Sequence, residues 1–284
     1  MNVMDKCIGI VIPSFNQGKY IEAAIRSVIE NRKYANISLA VVDGGSTDNT
    51  KNIILKYQSE INAWCSEKDN GQADAINKGI KMLPFCDYYM WLNSDDIYES
   101  EHAVAQIATF AEKNGFEVCY GKSHFIDETG NVIGKYPIEK FSYTKLGKKC
   151  YLSQPSVLFS REAYRVTGPL NEALKMCLDY EYWIRLAQHY QFGFLREYIG
   201  ATRIYGETKT ATMQQIHLQE AITILDYYYK KVPMHWIITK ILADNPSSLL
   251  QVIPRTILMV LLYPQKKQVI EQCKREKIYV KSTL

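Results

Sequence analysis

Short apolar runs alternate with amphipathic segments along the N-terminal third of the chain. Ile8–Ile12 is unbroken and ends at Pro13, as expected of a strand buried on both faces. After a turn at Ser14–Lys19, Ile21, Ala24, Ile25, Val28 and Ile29 occupy the i, i+3, i+4, i+7, i+8 positions of a core-facing helix. Leu39–Val42 predicts a second strand, stopped by Asp43–Gly44–Gly45–Ser46. Asn49–Tyr57 predicts a helix with Ser46 or Thr47 placed to cap it. Ala63–Ser66 reads as a weaker third strand and Gln72–Met82 as a helix. Tyr88–Leu92 is a strand that ends at Asn93–Ser94–Asp95–Asp96. Repeated βα units at this spacing predict an α/β fold with a mostly parallel sheet and right-handed crossovers.

The middle of the chain is less regular. Phe116–Tyr120, Val132–Tyr136 and Ser156–Ser160 read as strands and Arg161–Val166 as a short helix. Asp179–Tyr190 reads as a helix with Tyr180, Trp183, Ile184 and Ala187 on one face. From Met213 the pattern is wholly helical, with Leu218, Ala221, Ile222, Leu225 and Tyr228 in one stripe. The expected organisation is an α/β domain over 1–212 followed by a helical extension over 213–284. The segment Asp226–Tyr229 reads as buried core first and as an interface second.

Composition narrows the class. With 47% hydrophobic and 23% charged residues the 284-residue chain is globular and not disordered. The net charge of +4 is local: residues 264–284 carry six Lys/Arg and two Glu, whereas the first 263 residues hold 28 basic and 28 acidic side chains. A nucleic-acid binder would show a basic face within the fold, so none is expected. Seven cysteines lie scattered without a CxxC pair, behind a polar start. They predict reduced thiols and a cytoplasmic location, neither a disulfide framework nor a zinc site. No window reaches the roughly 20 apolar residues of a transmembrane helix.

In an open parallel sheet, ligands bind beyond the carboxyl ends of the strands. Three such ends carry polar turn formers: Pro13–Asn16, Asp43–Asp48 and Asn93–Asp96. The Asp43–Asp48 stretch opens a helix; taken alone it reads first as a plain turn and N-cap, and second as an approach for an anion or a ring to Gly44–Gly45. Adjacent carboxylates at Asp95–Asp96 repel each other without a cation and suit Mg²⁺ or Mn²⁺, unless they merely favour a helix N-terminus. Asp179, ahead of the helix containing Trp183, reads first as an N-cap and second as a base.

Taken together, the strings IVIPSFNQGKYIEAAIRSVIEN, VVDGGSTDNT, SEKDNGQADAINKG, MWLNSDD and LDYEYWIRLA resemble the family 2 glycosyltransferases of the GT-A fold. The resemblance covers residues 8 to about 210, with the motifs in the family's order and spacing. It implies transfer of a sugar, with inversion, from a nucleotide-diphosphate donor to an acceptor hydroxyl in polysaccharide or glycan assembly. Carried over residue by residue, Pro13, Ser14, Phe15 and Asn16 correspond to the loop around the nucleotide base, with Phe15 as a stacking candidate. Asp43 matches the carboxylate that hydrogen-bonds the base. Asp69 matches a second nucleotide-side acid, in a glycine turn that continues through Gly71 and Gln72. Asn93–Ser94–Asp95 stands in place of the DxD motif, its first acid replaced by Asn93. Asp95 is then the metal ligand with Asp96 beside it, the cofactor being Mn²⁺ or Mg²⁺. Asp179 matches the catalytic acid of the ED-type motif, with Leu178 replacing the usual first acid. In the RxH…KT-like segment from Arg203 to Thr210, Tyr205 stands where a histidine is common. Arg203 and Lys209 suit the diphosphate, and Glu207 is a substitute ligand.

Uridine diphosphate is the default donor carrier. Ile257–Tyr263, bounded by Pro254 and Pro264, is too short to span a bilayer. It reads as ordinary core, or joins Trp236 and the basic tail in peripheral contact with an anionic inner-membrane face that meets a lipid-linked acceptor. Asn93 and Tyr205 keep a second reading open, a non-catalytic sugar-nucleotide sensor or scaffold. A nucleotidyltransferase needs a Gly- and Arg-rich loop after the first strand, and a dinucleotide dehydrogenase needs GxGxxG there; Ser14–Lys19 has neither.

Overall fold

The structure, a computed structural model, describes residues 5–206, 212–246 and 249–275. They fall into two compact units. One holds the chain up to Phe141 together with Tyr151–Glu172 and Arg185–Tyr205. The other holds Ser142–Cys150, Ala173–Ile184 and the described residues from Gly206 onward. The second unit therefore includes two stretches from within the first 212 residues as well as the C-terminal helices.

The first unit contains a nine-stranded sheet: β1 (Cys7–Ser14), β2 (Asn36–Asp43), β3 (Ala63–Ser66), β4 (Tyr88–Trp91), β5 (Ile97–Tyr98), β6 (Val118–Ile126), β7 (Val132–Lys135), β8 (Val157–Ser160) and β9 (Phe192–Arg203). Its order is β3-β2-β1-β4-β8-β6-β9-β5, with β7 on β6. Pairing is parallel through β3, β2, β1 and β4. It turns mixed beyond them, because β8 enters antiparallel to both β4 and β6, while β9 runs parallel to β6.

The parallel part is covered on both faces, which explains the unbroken apolar runs. On one face Ile8, Ile10, Ile12, Leu39 and Val41 pack with Ile21, Ala24, Ile25 and Val28 of α1 (Ile21–Asn31), Ile53 and Ile54 of α2 (Thr50–Lys56) and Val104, Ile107 and Ala111 of α4 (Ala103–Asn114). Each Ile or Val buried there contributes about 1.5–3 kcal/mol. On the other face α3 (Gln72–Met82) lies so close that Gly79 meets Val11 with no room for a side chain.

The short β5 and α5 (Tyr143–Leu146) have no counterpart among the expected elements, whereas α6 (Arg161–Thr167) does; two longer elements also lack one. Helix α4 receives its N-terminal cap from a distance: Asn31, 1% exposed, accepts from the Val104 amide at 2.9 Å and donates to the Ser100 carbonyl at 2.8 Å. Strand β9 carries the exposed pair Arg196–Glu197 in its middle, and its register with β6 shifts nearby, so neither alternation nor a continuous apolar run survives.

In the second unit, α8 (Gln214–Tyr229) packs with α9 (Met234–Asp244) and α11 (Lys266–Arg275), and α9 packs with α10 (Arg255–Leu261). Leu218, Ala221, Ile222 and Leu225 are buried as their stripe predicts, but Asp226, Tyr228 and Tyr229 are only half-buried and Tyr227 is exposed, so Asp226–Tyr229 is not buried core; Asp226 pairs with Lys274 at 2.6 Å. The apolar run near the C-terminus divides. Leu258 and Leu262 are buried, whereas Ile257, Met259, Val260, Leu261 and Tyr263 are 42–76% exposed, so ordinary core accounts for only part of it. No helix among the described residues is long and apolar enough to cross a membrane.

Candidate active site

The register of the parallel strands brings the predicted loops together. Ser14 of β1 pairs with Asp43 of β2, which pairs with Ser66 of β3, while Trp91 of β4 pairs with Val11. The carboxyl ends therefore open on one edge, and hydrogen bonds knit the first two loops into a single surface. The Gly44 amide donates to the Ser14 carbonyl at 2.8 Å, and the Asn16 amide to Ser46 Oγ at 2.7 Å. The Thr47 amide donates to Asn16 Oδ1 at 2.9 Å. Asp48, not Ser46 or Thr47, satisfies the start of α2, accepting from the Thr50 amide at 3.0 Å and from the Gly18 amide at 2.8 Å. Pro13 and Ser14 are buried in this edge, and Phe15 projects from it with 59% exposure, an unusual position for a large apolar ring.

Asp43 is fully buried. Its carboxylate accepts from the Ser46 amide at 3.0 Å, from Ser46 Oγ, and from Ser66 Oγ at 2.7 Å. These bonds shape the turn at the β2 end. Asp69 lies directly over Gly44: a Cβ there would stand 2.8 Å from Asp69 Oδ2 and would push that carboxylate aside. Asp69 also accepts from the Gly71 amide at 2.9 Å, and Gly71 takes φ +114°, a conformation that glycine adopts without strain. That turn starts α3 and delivers Gln72, which donates to Asn93 Oδ1 at 2.7 Å.

The turn after β4 separates the two adjacent acids. Asp96 is 2% exposed, accepting from the Arg203 amide at 2.9 Å and from Asn93 Nδ2 at 3.2 Å. Burial first, and then the charge of Asp95, push its carboxyl well above the usual carboxylate range. It points inward and is not presented beside Asp95 as a second ligand, contrary to the expectation of paired carboxylates. Ser94 is likewise buried. Asp95 is half-buried, and its Oδ2 accepts from the Tyr205 hydroxyl at 2.9 Å. Gln17 donates to the same hydroxyl at 3.3 Å, and the Tyr205 ring lies 4.9 Å from that of Tyr20. Burial and the Asp95 charge hold the phenol in its neutral, donating form.

Arg203 also departs from expectation. It is 5% exposed and its guanidinium donates to the carbonyls of Asp95 at 2.8 Å, Asp127 at 2.7 Å and Glu128 at 3.1 Å, lying 4.9 Å over the Tyr20 ring. With its donors turned onto three carbonyls it braces the Asp95 turn and is not aimed at a diphosphate. Lys209 and Glu207 lie outside the described residues.

Among the described residues no three His, Cys, Asp or Glu side chains gather to hold a metal ion. Asp95 alone still fits a hard cation of the Mg²⁺ type, which takes one or two carboxylates and completes its shell with water and substrate phosphates.

Asp179 belongs to the second unit. It is half-buried in the first turn of α7 (Leu178–Ala187), where the Tyr180 amide donates to its Oδ1 at 2.7 Å. Burial raises its carboxyl to about 6, with the charge of Glu220 adding to the effect. Sequence reasoning gave no role to Gln17, Tyr20 or Glu220. None of the three stands out locally: Glu220 lies off the Leu218–Ile222–Leu225 stripe of its helix, where a carboxylate is ordinarily solvated.

Comparison with known proteins agrees with this architecture. The glycosyl transferase family 2 pattern matches residues 9–167. An uncharacterized glycosyltransferase of Rickettsia conorii is 31% identical over 198 residues, which cover 66% of this chain and 32% of that protein. The chain thus spans about a third of that relative's length. A UDP-Glc:alpha-D-GlcNAc-diphosphoundecaprenol beta-1,3-glucosyltransferase, WfgD of Escherichia coli, is 30% identical over 184 residues, covering 64% of this chain and 70% of the relative. The mannosyltransferase PcManGT of Pyrobaculum calidifontis, solved with GDP-Man and Mn²⁺, superposes with a TM-score of 0.64 at 12% identity, covering 97% and 88% of the two chains. This shared fold is the GT-A architecture that the motif resemblance implied. With the pattern matched over more than half its length, the chain belongs to glycosyl transferase family 2.

Proposed function

We propose that this protein transfers a sugar, with inversion, from a nucleoside-diphosphate donor to a hydroxyl of a lipid-linked glycan. The observation that carries this reading is the single edge on which Phe15, Asp69 and Asp95 meet at the ends of β1, β3 and β4, in a member of this family. The exposed Phe15 ring stacks on the base, and the Asp69–Gly71 turn lies on the nucleotide side. Asp43 orders the turn beneath it. Uridine is the expected base and the acceptor is expected to carry a lipid diphosphate, the donor and acceptor chemistries that the WfgD relative is named for. Asp95 would hold Mg²⁺ or Mn²⁺ together with the donor phosphates, supplying positive charge to the departing diphosphate. Tyr205 donates to Asp95 and keeps that carboxylate in one orientation. Asp179 takes the acceptor proton as its oxygen attacks the anomeric carbon.

Calorimetry with uridine, guanosine, adenosine, cytidine and thymidine diphosphates and their sugar conjugates, with and without Mn²⁺, tests the donor site. The expected result is metal-dependent binding of one nucleotide class. Binding of none would return the chain to the sensor or scaffold reading that Asn93 and Tyr205 kept open.

The exposed side chains of Ile257–Tyr263 adjoin Lys266 and Lys267, an apolar patch with a basic rim that suits an anionic lipid surface. Trp236 takes no defined part in this, since its indole N–H donates to the Lys148 carbonyl at 2.8 Å. Full-length protein should co-sediment with anionic vesicles more strongly than a chain truncated after residue 263, and less so at high salt. Equal binding by the two chains would remove the basic segment from this role.

A further inference from the structure

Glu220 is a deeply buried carboxylate of the second unit that has no part in the proposed reaction. It lies on α8 at 1% exposure, between the buried residues Leu218 and Ala221. An unpaired ionised carboxyl at such a position carries a desolvation penalty of several kcal/mol. Here it is matched by three successive backbone donors. Glu220 Oε1 accepts from the Lys175 amide at 2.8 Å, and Oε2 from the amides of Met176 at 2.9 Å and Cys177 at 2.8 Å. Consecutive amides converging on one anion form a nest, in which charge-assisted bonds fix the backbone of the residues that donate them.

Those residues lead straight into α7. The Cys177 carbonyl accepts from the Glu181 amide at 2.9 Å, closing the first turn, and Asp179 stands within that turn. The same face of α8 grips the turn twice more. Cys177 Sγ donates to the His217 carbonyl at 3.5 Å, and the Tyr228 hydroxyl donates to Glu181 Oε1 at 2.5 Å. Residues 217, 220 and 228 recur at helical spacing, so one stripe of α8 holds the start of α7 at three points. Helix α8 lies beyond residue 167, where the match to the family pattern ends.

We propose that Glu220 is a positioning residue for Asp179: its carboxylate, gripped by the amides of residues 175–177, sets the backbone turn that aims the Asp179 carboxyl. This rests on the reading of Asp179 as the base. The titratable groups facing Asp179 are Glu220 on α8 and Cys177 on its own turn, whose thiol is neutral because burial, first, and the Glu220 and Asp179 charges raise it well above its usual range. Glu220 therefore acts on Asp179 through the backbone and through its charge. Glutamine at this position breaks both routes, because its NH₂ group faces amide donors and its charge is gone.

The test uses the full chain, with release of nucleoside diphosphate from the sugar nucleotide selected by calorimetry as the turnover assay. Glu220→Gln should lower kcat by roughly 10²-fold, the effect of displacing a reacting group by about 1 Å, while donor KM changes little. The acid limb of its kcat–pH profile should move to lower pH, and the carbon-13 titration of the Asp179 carboxyl should move with it. Glu220→Asp, which keeps the charge, should recover part of the turnover and the position of the limb. In an Asp179→Asn background, Glu220→Gln should add almost nothing, since both changes remove the same function. A large loss in Asp179→Asn with unchanged kcat in Glu220→Gln would overturn the positioning role alone. Full activity in Asp179→Asn would overturn the base assignment and this inference with it. A kcat loss in Glu220→Gln that repeats in full on Asp179→Asn, with the carboxyl titration unmoved, would reduce Glu220 to a structural staple. If Glu220→Gln does not fold, Glu220→Asp, whose shorter side chain meets the three amides less well, supplies the turnover comparison: a loss that vanishes on Asp179→Asn supports the positioning role, and one that repeats in full overturns it.

Discussion

Asp179→Asn is expected to retain donor binding and to lose about 10²-fold or more in turnover, the usual contribution of a general base. The amide is nearly isosteric and still accepts the Tyr180 amide bond, so the first turn of α7 has no reason to change. What disappears is the basic lone pair. The pH dependence gives a second signature. Burial disfavours the charged form of a carboxyl, so it raises the Asp179 pKa, here to about 6. The base works ionised; kcat should thus be level above pH 7 and fall about tenfold per unit below pH 6. An unperturbed aspartate would place that limb near 4. In Asp179→Asn the limb should vanish together with the rate. Near-normal turnover by this variant would move the base elsewhere.

Asp95→Ala should abolish the enhancement of donor binding by Mn²⁺, so that calorimetric affinities with and without metal become equal. Asp95 is the one acid of the post-β4 turn with a carboxylate outside the buried interior, since Asp96 is committed to Arg203 and Asn93. Tyr205→Phe offers a graded comparison. It removes the hydroxyl that orients Asp95 Oδ2 and leaves the carboxylate in place, and loss of such an orienting partner weakens metal affinity about 10–100-fold. The expected order of metal-stimulated affinity is wild type, Tyr205→Phe, Asp95→Ala. Unchanged metal stimulation in Asp95→Ala would assign the ligand role to other residues.

The features that were legible along the chain are those written in neighbouring residues. A strand buried on both faces needs an unbroken apolar run, and β1, β2 and β4 each have one. A surface helix needs a stripe, and α1 shows it at Ile21, Ala24, Ile25 and Val28. Turn chemistry marked the strand ends, because Gly71 and the Asp43–Gly44–Gly45–Ser46 string suit few other conformations. Motif order then joined these ends to one family. Helix α4 escaped because its cap is Asn31, remote in sequence, and β9 escaped because Arg196 and Glu197 interrupt its pattern where the register shifts.

The roles of charged residues were decided by the fold. Asp95 and Asp96 are chemically identical neighbours, and no local rule says which will face outward. The choice is made by Arg203, whose amide binds Asp96 and whose guanidinium draws in the Asp95 carbonyl from 108 residues away. The same contacts turned Arg203 from a predicted phosphate ligand into a brace. Glu220 reads locally as a polar residue off the apolar stripe of its helix, and its meaning comes from three amides 43–45 residues earlier. The sequence by itself determined the strands, the turns and the chemical types available at their ends, because these follow from backbone preference and burial period over a few residues. Tertiary structure decided which charges are desolvated and which remain accessible, because desolvation depends on every element packed around a group and not on its neighbours in the chain.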